Sequence, residues 1–287
     1  MKILLTGASG LLGTDIVHSA KGRDMGLQKL CLRPRPGFVA VDLNSDEDCA
    51  KLEDLDWDCV VHTAANRNPD DCEKNPESCR SLNVDASRRL ALLAAKRKAD
   101  FLFISTDYVF PGTKPPYAED SPTSPVNLYG ESKLAAERLI LESLPAACIL
   151  RVPFLYGIRA GLEACPMLLS TIKALDSGAP WPMEDSLVRY PTYTGDVAEA
   201  VIFLLQKRAS GIFHFSGEDK ETRYTITQAV AECLGKDMRN IVRLESPPAS
   251  ATRRPPDAHL SMEKLLSMGF PHPPSFRAHL KKIFLSR

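Results

Sequence analysis

Tyr129 and Lys133 stand four residues apart, and Ser105-Thr106 lies upstream at the end of an apolar run. On a helix, residues at that spacing share a face. A free phenol ionises near pH ~10 and is a poor acid–base group at neutral pH. A neighbouring ammonium is expected to stabilise the phenolate and lower that value. Thr106 would donate to a substrate oxygen while Tyr129 supplies a proton, which suits carbonyl reduction by a hydride donor. Of the seven tyrosines, only Tyr129 has a lysine four residues later. Thr106, Tyr129 and Lys133 are therefore the candidate catalytic residues.

A hydride donor needs a seat. Gly7-Ala8-Ser9-Gly10-Leu11-Leu12-Gly13 follows the apolar run Lys2–Thr6 and opens a helix. Such a turn lets backbone approach a pyrophosphate, which the helix N-terminus favours through free N–H groups and partial positive charge. Gly7, Ser9, Gly10, Leu11, Leu12 and Gly13 are the expected cofactor contacts, although the spacing Gly-x-x-Gly-x-x-Gly differs from the commoner Gly-x-Gly-x-x-Gly. Roughly 20 residues past the glycines the chain should meet the adenosine ribose. Arg33 stands there, with Arg35 as a second candidate, rather than an acidic residue. A guanidinium suits a 2′-phosphate, so NADP is expected, with NAD as the alternative. Asp42-Leu43 is assigned to adenine and Ala64-Ala65 to the cofactor cleft. Asn83 reads as a helix cap.

These residues require a particular frame. Strands are expected at Lys2–Thr6, Gln28–Arg33, Asp58–Thr63, Phe101–Ser105 and Ala147–Val152. Helices are expected at Leu11–Lys21, Pro76–Lys98 and Tyr129–Leu144. The alternation implies an α/β chain with a parallel, doubly wound sheet. Beyond Pro153 the pattern loosens. Helices at Asp196–Gln206, Thr225–Leu234 (capped by Thr225) and Phe276–Phe284, a strand at Gly211–Phe215 and a loop at Pro247–Pro256 remain readable. The expected division is a nucleotide-binding lobe over residues 1–152 and a smaller, partly interleaved substrate-binding lobe over 153–287.

Composition sets the outer bounds. The 287 residues are 44% hydrophobic and 25% charged with zero formal net charge, which points to neither nucleic acid nor an anionic membrane as partner. No apolar run reaches the ~18 residues of a membrane span. The first strand begins at Lys2, which leaves no room for a signal peptide, so a cytoplasmic location is expected. The eight cysteines lack Cys-x-x-Cys or zinc-like spacing. They are expected to be reduced thiols, with no metal site. His62 and His214, in apolar strands, read as core residues, and Asp107 reads as structural.

Taken together, these residues are similar to the extended short-chain dehydrogenase/reductase superfamily. Ser105-Thr106-Asp107-Tyr108-Val109-Phe110, Pro115-Pro116-Tyr117, Pro125-Val126-Asn127-Leu128-Tyr129-Gly130-Glu131-Ser132-Lys133-Leu134, Leu150-Arg151 and Arg254-Pro255 resemble the dTDP-4-dehydrorhamnose reductases. The resemblance implies a Rossmann fold, a nicotinamide cofactor and a 4-keto nucleotide sugar as substrate, with Thr106, Tyr129 and Lys133 as the catalytic trio. It also assigns Phe154 and Arg254 to the substrate. The chain departs from that family with Phe154 in place of Trp, Pro111 in place of Asp and Ala258 in place of Ser. Dehydratases of the superfamily carry Glu where Tyr108 stands; a 4-epimerase fits the trio but would retain NAD.

A second resemblance is to the regulatory β subunits of methionine adenosyltransferase. It rests on His62-Thr63-Ala64-Ala65-Asn66-Arg67-Asn68-Pro69-Asp70, Leu82-Asn83-Val84-Asp85-Ala86-Ser87, Gly211-Ile212-Phe213-His214-Phe215-Ser216-Gly217 and Arg254-Pro255-Pro256-Asp257-Ala258. It implies NADP binding and association with a methionine adenosyltransferase catalytic subunit. A homodimer is also admitted.

Overall fold

A computed structural model describes residues 1–247 and 252–285. The first half alternates β1 (Lys2–Thr6), α1 (Leu11–Ser19), β2 (Gly26–Cys31), β3 (Val39–Ala40), α2 (Asp46–Ala50), β4 (Cys59–His62), α3 (Pro69–Lys74), α4 (Pro76–Arg80), α5 (Ala86–Arg97), β5 (Asp100–Thr106), α6 (Leu128–Ser143) and β6 (Cys148–Val152). The second half adds β7 (Leu155–Tyr156), α7 (Pro166–Asp176), β8 (Trp181–Glu184), β9 (Thr192–Tyr193), α8 (Thr194–Gln206), β10 (Gly211–His214), α9 (Arg223–Leu234), β11 (Ile241–Leu244), α10 (Glu263–Ser267) and α11 (Phe276–Leu285).

Seven parallel strands form one sheet in the order β10-β6-β5-β4-β1-β2-β3. Both faces are buried, which explains why these strands read as continuous apolar runs rather than alternating ones. Ile3, Leu5, Cys59, Val61, Leu102 and Ile104 face one core with α1 and α8, while Leu4, Val60, Phe101 and Phe103 face the other with α5 and α6. Strand order reverses between β1 and β4, the crevice where ligands of doubly wound sheets bind. The second half contributes β10 to the sheet's edge, and β7–β9 and β8–β11 form two small separate sheets. A further core around Tyr156, Leu168, Ile226 and Phe276 reaches back to Leu11.

Several local expectations change. The single helix over Pro76–Lys98 is interrupted by a π-turn at Ser81–Asp85. Asn83 caps nothing there. It is fully buried, accepts from the Asn66 backbone N–H at 2.8 Å and donates to the Asn66 carbonyl at 2.9 Å, clamping the loop after β4. α9 starts at Arg223, two residues before the expected start, because Thr222 is its N-cap and Thr225 returns the bond in a capping box. β2 ends at Cys31, leaving Arg33 in the loop beyond it. The Pro247–Pro256 loop falls partly outside the described residues. No described helix is long and apolar enough to cross a membrane. All eight cysteines are free thiols, seven of them buried.

Candidate active site

The glycine loop sits at the carboxyl end of β1 beside the β4 loop. Gly7 has φ +63°, the left-handed region that favours glycine. A Cβ on Gly13 would lie 2.2 Å from the Gly7 carbonyl oxygen, so α1 starts flush against the loop only because that atom is missing. Gly10 is the N-cap of α1 and makes no side-chain cap, which leaves the amides of Leu11 and Leu12 directed outward for an anion. Thr6 Oγ1 accepts from the amides of Thr63 and Ala64 at 3.1 and 3.2 Å, tying the Ala64-Ala65 segment to the same crevice.

Next to it, Ser9, Cys31, Leu32, Arg33, Pro34 and Arg35 line a cavity of about 340 Å³. Arg33 and Arg35 are exposed and join no ion pair among the described residues; Arg35 stands over the Phe38 ring at 5.5 Å. Asp42 and Leu43 do not line this cavity. Asp42 accepts from Asn44 N–H at 2.9 Å, and the Leu43 carbonyl accepts from Arg89, so both brace the loop before α2.

Thr106 ends β5, and Tyr129 and Lys133 lie one turn apart in α6. The start of α6 is fixed by Asn127, whose Oδ1 accepts from Gly130 N–H at 2.9 Å and whose Nδ2 donates to the Arg253 carbonyl at 2.8 Å. Gly130 lets the helix settle on the preceding segment: its Cβ would be 2.3 Å from the Tyr108 carbonyl oxygen. Tyr129 packs edge-on against Tyr108 with ring centroids 5.8 Å apart. Burial raises the Tyr129 phenol above its ordinary pKa, and the nearby Thr106 hydroxyl works in the opposite direction. The expected depression by Lys133 is not met.

The reason lies with Lys133 itself. It is 2% exposed, and burial lowers its pKa to about 7, with Glu137 opposing. The ammonium stands 3.8 Å from the Phe103 ring centroid and makes no side-chain hydrogen bond among the described residues. Behind it, Glu137 accepts from Ser105 and from Arg151, whose Nη2 lies 2.7 Å from the Glu137 carboxylate in a pair almost wholly buried. His62 and His214 are fully buried and hydrogen-bonded, and burial lowers each to about 3, so both stay neutral core residues.

Two features of the site extend the sequence reading. Asp107 is 7% exposed and accepts from Thr106 Oγ1 at 3.0 Å; burial raises it to about 7, and the charge of Arg189 opposes the rise. Arg189 is itself buried, and its Nη1 donates to the carbonyls of Val188 and Pro255. Arg223 donates to Ser170 Oγ at 2.8 Å, and its pKa is lowered by burial and then by the charges of Arg189 and Arg254. Neither Arg189 nor Arg223 has a carboxylate partner among the described residues. Arg254 pairs with Asp70 at 2.8 Å and lies close to Tyr108. Arg189 and Arg254 thus both approach Tyr108, and Arg223 lies near the two of them. Arg223 carries no local motif. Phe154 is partly exposed and packs on the core around Tyr156, while its carbonyl accepts from Thr192 N–H at 2.9 Å.

Comparison with known proteins bears on family and fold. Residues 1–286 match the family model for the RmlD substrate binding domain. Methionine adenosyltransferase 2 subunit beta of Xenopus tropicalis is 35% identical over 289 residues, covering 98% of this chain and 86% of the relative. The Probable low-salt glycan biosynthesis reductase Agl14 of Haloferax volcanii is 31% identical over 246 residues, covering 83% and 81%. Among solved structures, dTDP-4-dehydrorhamnose reductase of Bacillus anthracis in complex with NADP superposes with TM-score 0.88 at 21% identity, covering 100% of this chain and 99% of that one, which speaks to the fold.

Proposed function

The chain belongs to the RmlD substrate binding domain family, and from that premise we propose that it is an NADP-dependent reductase of a 4-keto nucleotide sugar. The observation that carries the proposal is the buried Lys133 one helical turn from Tyr129, in a chain whose glycine loop after β1 leaves no room for side chains at Gly7 and Gly13. The cofactor fits this chain's residues. The cradle at Gly7 and Gly13 excludes side chains, the first amides of α1 have no side-chain cap and would receive a pyrophosphate, and Arg33, exposed in the loop after β2, would meet a 2′-phosphate. Bound there, a reduced nicotinamide supplies hydride.

The chain's own residues then handle the proton. A raised phenol pKa keeps Tyr129 protonated at neutral pH, as a donor to a carbonyl oxygen must be. Thr106 orients that oxygen with its hydroxyl. Lys133 holds a ribose hydroxyl. Arg189, Arg223 and Arg254 take the phosphates of the sugar nucleotide. Mixing the protein with NADPH and a dTDP-4-keto-6-deoxy sugar tests this: saturable nucleotide oxidation is expected. Tight NADPH binding without turnover on any 4-keto sugar nucleotide would refute it.

A second reading is favoured by one observation, the 35% identity to methionine adenosyltransferase 2 subunit beta across almost the whole chain. In that reading the protein, still holding NADP, associates with a methionine adenosyltransferase catalytic subunit and changes its kinetics. Co-sedimentation of the two purified proteins at micromolar concentration checks it, and no complex at that concentration would exclude it.

A further inference from the structure

Cys72 in α3 and Cys79 in α4 bring their sulfurs into direct contact, at 2.6 Å. Both thiols are buried, at 0% and 2% exposure. Their cover is thin, because residues 73–78 between them are all exposed and the helix breaks at Asn75-Pro76. Opening this short surface segment costs far less than global unfolding and admits a small oxidant.

The pair also touches the site. Cys79 Sγ lies 3.6 Å from Ser132 Oγ and accepts from Asn83 Nδ2 at 3.4 Å. Ser132 donates to the Tyr129 carbonyl at 2.8 Å, and Asn83 clamps the Asn66 loop beside the cofactor crevice. Cys72 Sγ reaches toward the Asn66 carbonyl at 3.7 Å. One pair of thiols thus contacts both the catalytic helix and the cofactor-side loop.

We propose that Cys72 and Cys79 form a redox-sensitive dithiol that closes to a disulfide under hydroperoxide and weakens NADPH binding. Cys79, whose sulfur accepts from Asn83 Nδ2, attacks first. Its thiolate takes one peroxide oxygen, the O–O bond breaks, and the leaving hydroxide is protonated to water. The Cys72 sulfur then attacks the resulting sulfenic acid. The S–S bond forms, the S–O bond breaks, and the Cys72 proton leaves with hydroxide as a second water. The two thiols lose two hydrogens and two electrons, and hydrogen peroxide is reduced to water. The disulfide removes the S–H that Cys79 presents and pins α3 to α4, which shifts the Asn83 and Ser132 contacts.

The chemistry of the pair is independent of the proposed function; its effect on the nucleotide rests on that reading. The whole protein is treated with hydrogen peroxide, then analysed by peptide mass spectrometry without reduction and by NADPH fluorescence titration. A linked Cys72–Cys79 peptide lacking two hydrogens is expected, with NADPH affinity lowered several-fold and restored by dithiothreitol. In Cys72→Ser and Cys79→Ser the affinity should no longer respond to peroxide. Absence of the linked peptide, or an equal response in the serine variants, overturns the proposal. If the linked peptide forms but untreated protein binds no NADPH, the cofactor assignment fails and the claim of weakened binding fails with it.

Discussion

At the scale of single residues, the account turns on the charge of Lys133. Its pKa of about 7 in the folded chain lies far below the ordinary 10.5. The folded protein therefore releases a proton between these values, and the cost of burying the ammonium is greatest below pH 7 and relieved as pH rises toward 10.5. Lys133→Met should raise the melting temperature of the cofactor-free protein more at pH 6 than at pH 10, which scanning calorimetry reads directly. The same substitution should weaken NADPH binding at pH 6, where the ammonium is present. Arg33→Ala should lower NADPH affinity about tenfold, ~1.5 kcal/mol for a lost charged hydrogen bond, and leave NADH affinity unchanged in the same titration. Arg223→Ala should raise KM for the sugar nucleotide far more than it lowers kcat, since it is assigned to binding.

Residue-level legibility was uneven for physical reasons. Thr106, Tyr129 and Lys133 could be picked out as candidates because the chemistry asked of them fixes both type and spacing. Arg223 could not, because a guanidinium without an ion pair is defined by neighbours distant in sequence. The predicted direction for Tyr129 also failed. Spacing announces a neighbouring ammonium, but not the burial that outweighs it.

At the scale of elements, the catalytic helix is held from behind by a buried ion pair. Glu137 of α6 and Arg151 of β6 are each about 2–3% exposed. Removing one partner leaves the other charged and dry, so Glu137→Ala should cost ~3–5 kcal/mol in urea unfolding. Gly130→Ala should leave secondary structure intact by circular dichroism but lower kcat, because the added Cβ pushes α6 off the Tyr108 carbonyl. The elements that could be read from sequence were those with two buried faces or clear caps, such as β1, β5 and α6. The π-turn at Ser81–Asp85 was not legible. Its cause is the bond between Asn83 and the Asn66 loop, a contact that no helical periodicity records.

At the scale of the molecule, the two halves of the chain depend on each other. β10, from the second half, pairs with β6 at the sheet's edge, and α8 packs on α1 in the same core. A fragment of residues 1–152 would expose the apolar edge of β6 and one face of its core. It is expected to aggregate on size-exclusion chromatography, whereas the full chain elutes as a defined species. The sequence foretold the parallel sheet because alternating apolar strands and helices permit little else. It did not foretell how the second half divides between completing that sheet and building the Arg189–Arg223 side of the site. Short strands such as β7 and β9 carry too few residues to declare a partner.

The central claim is that Tyr129 delivers a proton to a carbonyl within a nucleotide-binding crevice. Single-turnover stopped-flow with bound NADPH and a dTDP-4-keto-6-deoxy sugar tests it most directly, run on the unmodified protein and on Tyr129→Phe. The prediction is one fast phase of nucleotide oxidation, slowed at least ~100-fold in the variant while NADPH affinity stays the same. Equal rates in the two proteins, or no oxidation in either despite bound NADPH, would contradict it.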